Sequence, residues 1–73
     1  MNQNLNAHWH GILRLPEVIR LTGLSRSSIY RLESLGQFPS RVKLSESASG
    51  WRSEEVQEWI NTRPLASKKG VAA

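Results

Sequence analysis

Two residue types, cysteine and aspartate, are missing from this 73-residue chain, and each absence argues against a class of protein. Cysteine is absent, so the sequence holds neither a disulfide framework nor a thiolate zinc cluster. No apolar stretch approaches the roughly 20 residues that a membrane-spanning helix needs, and the polar start from Met1 to Asn6 is unlike a signal peptide. We therefore expect a cytoplasmic protein with no membrane partner.

Groups that perform catalysis are also scarce. Aspartate is missing, no glycine-rich phosphate loop occurs, and the six glutamates follow no spacing that predicts a pocket. His8 and His10 flank Trp9, but two imidazoles without a third ligand make a poor metal site. We therefore expect no enzyme activity, no metal, no cofactor and no small-molecule ligand.

Positive charge is what the chain has in excess. Ten Lys and Arg residues against six Glu give a formal net charge of +4 and a pI near 10.4. Residues 24–52 hold five of the basic and only two of the acidic residues. This distribution favours an anionic partner and predicts that the middle of the chain binds it.

Two helices joined by a tight turn are predicted first. Pro16 suits the first turn of a helix that runs to about Thr22, and Gly23 suits the residue just after its end. Ser25 is a good N-cap for a second helix over 26–35, with Gly36 as its stop. This pattern is typical of a helix-turn-helix, whose second helix enters a DNA major groove.

A hairpin and a third helix are predicted next. Residues 41–44 alternate basic and apolar side chains as a half-exposed strand does, residues 45–49 suit a turn, and residues 50–52 suit the return strand. Ser53 is expected to cap the third helix, and Pro64 to end it. The expected fold is mainly α with a small β-hairpin: a winged helix-turn-helix of three helices and a two-stranded wing.

The domain is expected to span residues 12–63, between a flexible tail over 1–11 and a disordered basic tail over 64–73. Lys68 and Lys69 in the second tail should add only nonspecific attraction, and whether Trp9 docks on the domain stays open. Trp51, at the end of the hairpin, and Trp59, on an amphipathic stripe, are predicted to be core residues rather than base-stacking platforms.

Short motifs over about 12–63 occur in an order and spacing that chance rarely matches: Arg14-Leu15-Pro16-Glu17-Val18, the run from Thr22 to Leu32, Gly36-Gln37-Phe38-Pro39, Val42-Lys43-Leu44, the run from Gly50 to Val56, and Trp59-Ile60. Together they resemble the AlpA family of phage-type transcriptional regulators, small winged helix-turn-helix proteins related to excisionases and MerR-type regulators. The resemblance implies a prophage or mobile-element regulator. Glu33 stands where relatives usually carry an apolar residue, so we expect looser packing behind the second helix.

The opening of the second helix supplies most of the candidate DNA contacts. Ser25, Arg26, Ser27 and Ser28 offer hydroxyls, a guanidinium and backbone amides that phosphates and base edges use, although plain capping and solvation explain the serines equally. Arg26 is the predicted base reader, because arginine contacts guanine bidentately. Arg31, five residues later, is expected on a phosphate or a base.

The remaining candidates surround the hairpin. Tyr30 either packs its ring against the wing or also reaches a phosphate with its hydroxyl. Arg41 and Lys43 are predicted to point outward from one strand face towards the DNA backbone or minor groove, with a solvated strand face as the alternative. Arg52 either joins them from the return strand or pairs with a first-turn glutamate of the third helix. Because the turn of the hairpin is rich in serine, a contact between the wing tip itself and DNA is less expected.

The predicted function is a sequence-specific, double-stranded DNA-binding transcriptional regulator, with the second helix in the major groove and the wing on the backbone or minor groove. The alternatives are an architectural excisionase that bends DNA and recruits integrase, and a protein-interaction adaptor that does not bind DNA. The expected partners are duplex DNA and either integrase or RNA polymerase, at the bacterial nucleoid. One short helix reads few base pairs, so two or more copies should assemble on DNA, as a symmetric dimer or a head-to-tail row.

Overall fold

The computed structural model describes residues 11–66 and has three helices and three short strands. The chain forms β1 (Ile12–Leu13), α1 (Leu15–Thr22), α2 (Arg26–Ser34), β2 (Val42–Ser45), β3 (Ala48–Arg52) and α3 (Ser53–Asn61). The strands make one antiparallel sheet in the order β1-β3-β2. This confirms the predicted winged helix-turn-helix. Trp9, both histidines and the Lys68-Lys69 pair lie outside the described residues. No helix within the described range has the length and apolar character needed to span a bilayer.

β1 is the element that the sequence did not predict. It consists of two residues, Ile12 opposite Arg52 and Leu13 opposite Trp51, which is too short for an alternating pattern to be visible. The backbone amide of Ser53 donates to the carbonyl oxygen of Gly11 at 2.9 Å and extends the pairing by one residue. The wing is therefore a three-stranded sheet rather than an isolated hairpin, and β1 ties it to the start of α1.

The ends of α1 and α2 follow the predicted capping. Gly23 has a φ of 76°, and its amide donates to the carbonyl of Ile19 at 2.9 Å, which closes α1. Ser25 caps α2, which ends at Ser34, one residue before the predicted end. The reversal after α2 uses Gly36 at a φ of 75°, a conformation that favours glycine.

Three boundaries in the second half differ from the predictions. Ser53 is the first residue of α3, and Arg52 takes the N-cap position that was predicted for Ser53. α3 ends at Asn61, before Pro64, and the hydroxyl of Thr62 donates to the carbonyl of Glu58 at 3.1 Å there. The hairpin turn contains only residues 46 and 47, because a register shift between β2 and β3 brings the flanking serine-rich residues into the strands.

The core lies between the sheet and the helices, and Trp51 of β3 is its largest fully buried side chain. The indole Nε1–H of Trp51 donates to the carbonyl of Pro39 at 3.0 Å, and the Phe38 ring meets its edge at a centroid distance of 6.3 Å. Trp59 packs on Phe38 at 4.8 Å and donates to the carbonyl of Gln37 at 2.8 Å, so both tryptophans have the predicted core role. The six buried apolar residues come from five elements and the loop before β2: Leu13, Val18, Ile29, Phe38, Trp51 and Val56.

Replacing Gly50 by alanine should test the packing of β1 on β3. A Cβ at position 50 would collide with Ile12 Cγ2 and lie 2.8 Å from the carbonyl oxygen of Leu13. We expect Gly50→Ala to lower the free energy of unfolding by about 1–3 kcal/mol, the usual cost of overpacking. Urea unfolding followed by tryptophan fluorescence measures this, with Ser45→Ala, at an exposed strand position, as a control expected to change stability by less than about 0.5 kcal/mol. Equal stability of both variants would contradict the close contact.

Candidate nucleic-acid interface

The N-terminus of α2 is organised by two serines. The backbone amide of Ser28 donates to Ser25 Oγ at 3.2 Å, and the Ser25 hydroxyl donates to Ser28 Oγ at 3.0 Å. Ser28 is half-buried, whereas Arg26 and Ser27 are exposed. Ser25 and Ser28 therefore form the cap, and the cap presents the two residues between them to solvent.

The outer face of α2 carries two arginines on either side of its midline. Successive residues of an α-helix are rotated by about 100°, so Arg26 and Tyr30 lie on the side near the wing, while Ser27 and Arg31 lie on the side away from it. Ile29 points the other way and is fully buried. Neither Arg26 nor Arg31 forms an ion pair with a carboxylate anywhere in residues 11–66. Both guanidiniums are accordingly available to an external anion.

Glu33 connects α2 to Arg41, the residue directly before β2. Its Oε2 accepts a hydrogen bond from the backbone amide of Arg41 at 2.8 Å and lies 3.5 Å from Arg41 Nε. The Arg41 guanidinium also lies over the Tyr30 ring, 4.8 Å from its centroid. The sequence did not predict this link, in which the largely covered Glu33 carboxylate joins α2 to the residue before β2. Looser packing behind the second helix stays a prediction. Arg41 does not belong to the strand, which begins at Val42 since the Arg41 amide is taken by Glu33.

The two faces of the wing separate the other basic residues. Lys43 lies opposite Ser49, so the two side chains project from the same face of the sheet. Trp51 is two residues after Ser49 and shares that face, which is the one towards α2. Arg52 follows Trp51 and projects from the opposite face, exposed and without an ion pair to the glutamates of α3 that the structure describes. The structure thus groups Lys43, but not Arg52, with the arginines of α2.

Tyr30 has the predicted packing role. Its ring lies 6.3 Å from the Trp51 ring, tilted by 41°, so the aromatic side chain joins α2 to β3. The ring is half-buried between Trp51 and Arg41. Contact between its hydroxyl and a phosphate stays a prediction.

A cleft of about 350 Å³ opens between the start of α1, the start of α2 and the wing tip. Three arginines and two serines line it together with apolar residues, and none of its lining residues is acidic: Arg14, Arg26, Arg41, Ser47 and Ser49. The sequence analysis missed Arg14 and both serines. The sequence shows only that Arg14 is a cation directly before a helix. Its neighbours in the cleft come from distant parts of the chain and are brought to it by the pairing of β1 with β3. We name this feature the arginine cleft.

The chain was compared with known proteins. Residues 11–64 match the family model of the prophage CP4-57 regulatory protein AlpA. The chain is 44% identical over 61 residues to the uncharacterized protein ORF88 of Enterobacteria phage P4, with 84% of this chain and 69% of that protein covered. It is 37% identical over 60 residues to the DNA-binding transcriptional activator AlpA of Escherichia coli strain K12, with 71% of this chain and 83% of that protein covered.

The link between Glu33 and Arg41 should contribute measurably to local stability. Glu33→Ala removes the acceptor of the Arg41 amide, and the loss of a hydrogen bond to a charged group costs about 1.5–3 kcal/mol. We expect faster hydrogen exchange of the Arg41 amide by NMR together with lower stability to urea. Glu46→Ala removes the same charge from the exposed wing turn and should leave both measurements nearly unchanged. Similar behaviour of the two variants would contradict the link.

Proposed function

This chain belongs to the AlpA family of prophage regulatory proteins, and from that premise we propose that it is a sequence-specific, double-stranded DNA-binding transcriptional regulator of a prophage or mobile element. The observation that carries the proposal is the outer face of α2, where exposed arginines unpaired by the carboxylates of residues 11–66 stand beside a basic wing. The similarity to a DNA-binding transcriptional activator supports it independently.

α2 has the size and exposure that suit a recognition helix. With nine residues it is about 13 Å long, comparable to the roughly 12 Å width of the major groove. Helix-turn-helix proteins contact base edges mainly with the first residues of this helix. In this chain those residues are Arg26 and Ser27, which the Ser25–Ser28 cap presents to solvent.

The proposed contacts divide between bases and backbone. Arg26 reads a base edge, most favourably the N7 and O6 of a guanine, and Arg31 contacts a base or a phosphate further along the groove. Tyr30 offers its hydroxyl to a phosphate, because its ring is held by Trp51 and Arg41. Lys43 of the wing and Arg41, directly before it, contact the backbone or minor groove. Arg52, on the other face of the sheet, makes at most a flanking contact.

The similarity to a bacterial DNA-binding transcriptional activator favours regulation of transcription over an architectural role. The same surface serves an excisionase that bends DNA and recruits integrase, and a phasing assay that detects bending without any change in transcription would select that function instead. A nine-residue recognition helix reads few base pairs, so we propose that two or more copies bind neighbouring sites.

Substitutions on α2 and on the wing should affect binding in different ways. Arg26→Ala removes a base contact and should reduce the preference for a selected site over a scrambled duplex by about 1–3 kcal/mol. Lys43→Ala removes a backbone contact and should weaken binding to both duplexes by the same factor. Fluorescence anisotropy with both duplexes, at one fixed salt concentration, measures the two ratios.

Arg63→Ala is the matched control for this experiment. Arg63 follows α3, and its guanidinium lies 4.0 Å from the centroid of the Trp59 ring, on a part of the molecule outside the proposed interface. This variant should bind both duplexes nearly as the unmodified chain does. Equal losses on the two duplexes for Arg26→Ala would reject Arg26 as the base reader. A chain without any preference among duplexes would reject the proposed function.

A further inference from the structure

We infer that the arginine cleft binds one phosphate of the DNA backbone, and that Arg14 is a direct ligand of this phosphate. The inference rests on the proposed function and adds a binding site and a contact residue to it. Arg14 lies outside α2 and outside the hairpin, at the N-cap position of α1. The inferred site therefore involves the first helix in DNA binding.

The charges around the cleft point to an anion. Its three arginines come from separate parts of the chain: Arg14 before α1, Arg26 at the start of α2 and Arg41 before β2. Bringing like charges together is unfavourable unless an opposite charge compensates them. None of the residues that line the cleft is acidic, although two carboxylates approach it from outside: Glu33 lies beside Arg41, and Glu17 accepts from the backbone amide of Arg14 at 2.8 Å. A bound phosphate would supply the missing negative charge.

One of the arginines, Arg41, is held in place before any ligand arrives, and the exposed Arg14 side chain runs close to the sheet. Arg41 has its Nε 3.5 Å from Glu33 Oε2 and its guanidinium against the Tyr30 ring, which leaves the terminal amino groups for another acceptor. The Cδ of Arg14 passes over Gly50, 3.5 Å from the position that a Cβ there would occupy. Such preorganisation lowers the entropy that binding must lose.

The lining residues favour a phosphate group over a nucleotide or another small molecule. Guanidinium groups bind phosphate through paired N–H donors, and the hydroxyls of Ser47 and Ser49 offer additional donors. The two aromatic residues in the cleft offer no open face to a base, because Trp51 is 1% exposed and Arg41 lies over Tyr30. The volume of about 350 Å³ is also near the lower limit for ligand pockets.

A phosphate in this cleft would fix the register of the duplex. Backbone contacts position a protein on DNA without reading sequence. Arg26 lines the same cleft, so a phosphate bound by Arg14 and Arg41 would hold the duplex where the long Arg26 side chain meets an adjacent base edge. Arg14 therefore contributes affinity, whereas Arg26 contributes specificity.

Arg14→Gln tests the site, with Arg20→Gln as the matched control. Both variants lose one positive charge at α1, but Arg20 is exposed and does not line the cleft. We expect Arg14→Gln to weaken binding to a selected and a scrambled duplex by the same factor, about tenfold. The slope of log K against log salt should fall by about 0.9, the contribution of one phosphate. Arg20→Gln should change affinity by less than about twofold.

Neutral methylphosphonate groups placed one at a time along the selected duplex identify the phosphate. At one position the methylphosphonate should weaken duplex binding by the unmodified chain and by the Arg20→Gln variant. It should have no effect on duplex binding by the Arg14→Gln variant. Arg14→Lys keeps the charge but lacks the paired N–H donors, so it should lose less affinity than Arg14→Gln and more than Arg20→Gln. Thermal unfolding by circular dichroism is measured for all the variants.

Three results overturn the inference while the proposed function stands. They are equal behaviour of the Arg14→Gln and Arg20→Gln variants, methylphosphonate effects that are the same in both at every position, and displacement of the duplex by inorganic phosphate beyond what sodium chloride causes at the same ionic strength. The last result would assign the cleft to free phosphate. A chain that binds no duplex at all rejects the proposed function itself.

Discussion

The interface depends above all on how Trp51 is held. This side chain of β3 is 1% exposed, its indole N–H is bonded to the carbonyl of Pro39 at 3.0 Å, and its ring contacts both Tyr30 of α2 and Phe38 of the preceding loop. One residue thus fixes the positions of the wing, α2 and the loop between them relative to one another. Because a small domain has few buried residues, a single large side chain at this position has a large effect on the angle between helix and wing.

The distribution of charge follows from the same arrangement. α2 carries Arg26 and Arg31 on its outer face, Lys43 lies on the face of the wing towards α2, and Arg41 directly precedes the wing. The first turn of α3 is acidic, which suits the positive end of its helix dipole and leaves that helix unsuited to approach DNA. A net charge of only +4 therefore suits contact with a polyanion, because the basic residues are concentrated where that contact is proposed.

Local chemistry made the helices and the turn predictable. Ser25, Gly23 and Gly36 have the capping or left-handed conformations that their residue types favour, so the helix-turn-helix could be located from the sequence. Contacts between residues far apart in the sequence could not be predicted. The strand at Ile12–Leu13 exists because Gly50 allows close approach, and the place of Glu33 depends on a partner eight residues away. The arginine cleft was missed for the same reason, because Arg14 joins it through the tertiary fold.

The central claim is that α2 and the near face of the wing together meet the duplex. An NMR titration of the ¹⁵N-labelled chain with a DNA duplex tests this most directly, because each backbone amide reports its own change in environment. We expect the largest chemical-shift changes over residues 25–31 and 41–49 and at Arg14, with little change over residues 54–62. Shifts concentrated on α3, or none beyond those caused by salt, would contradict it.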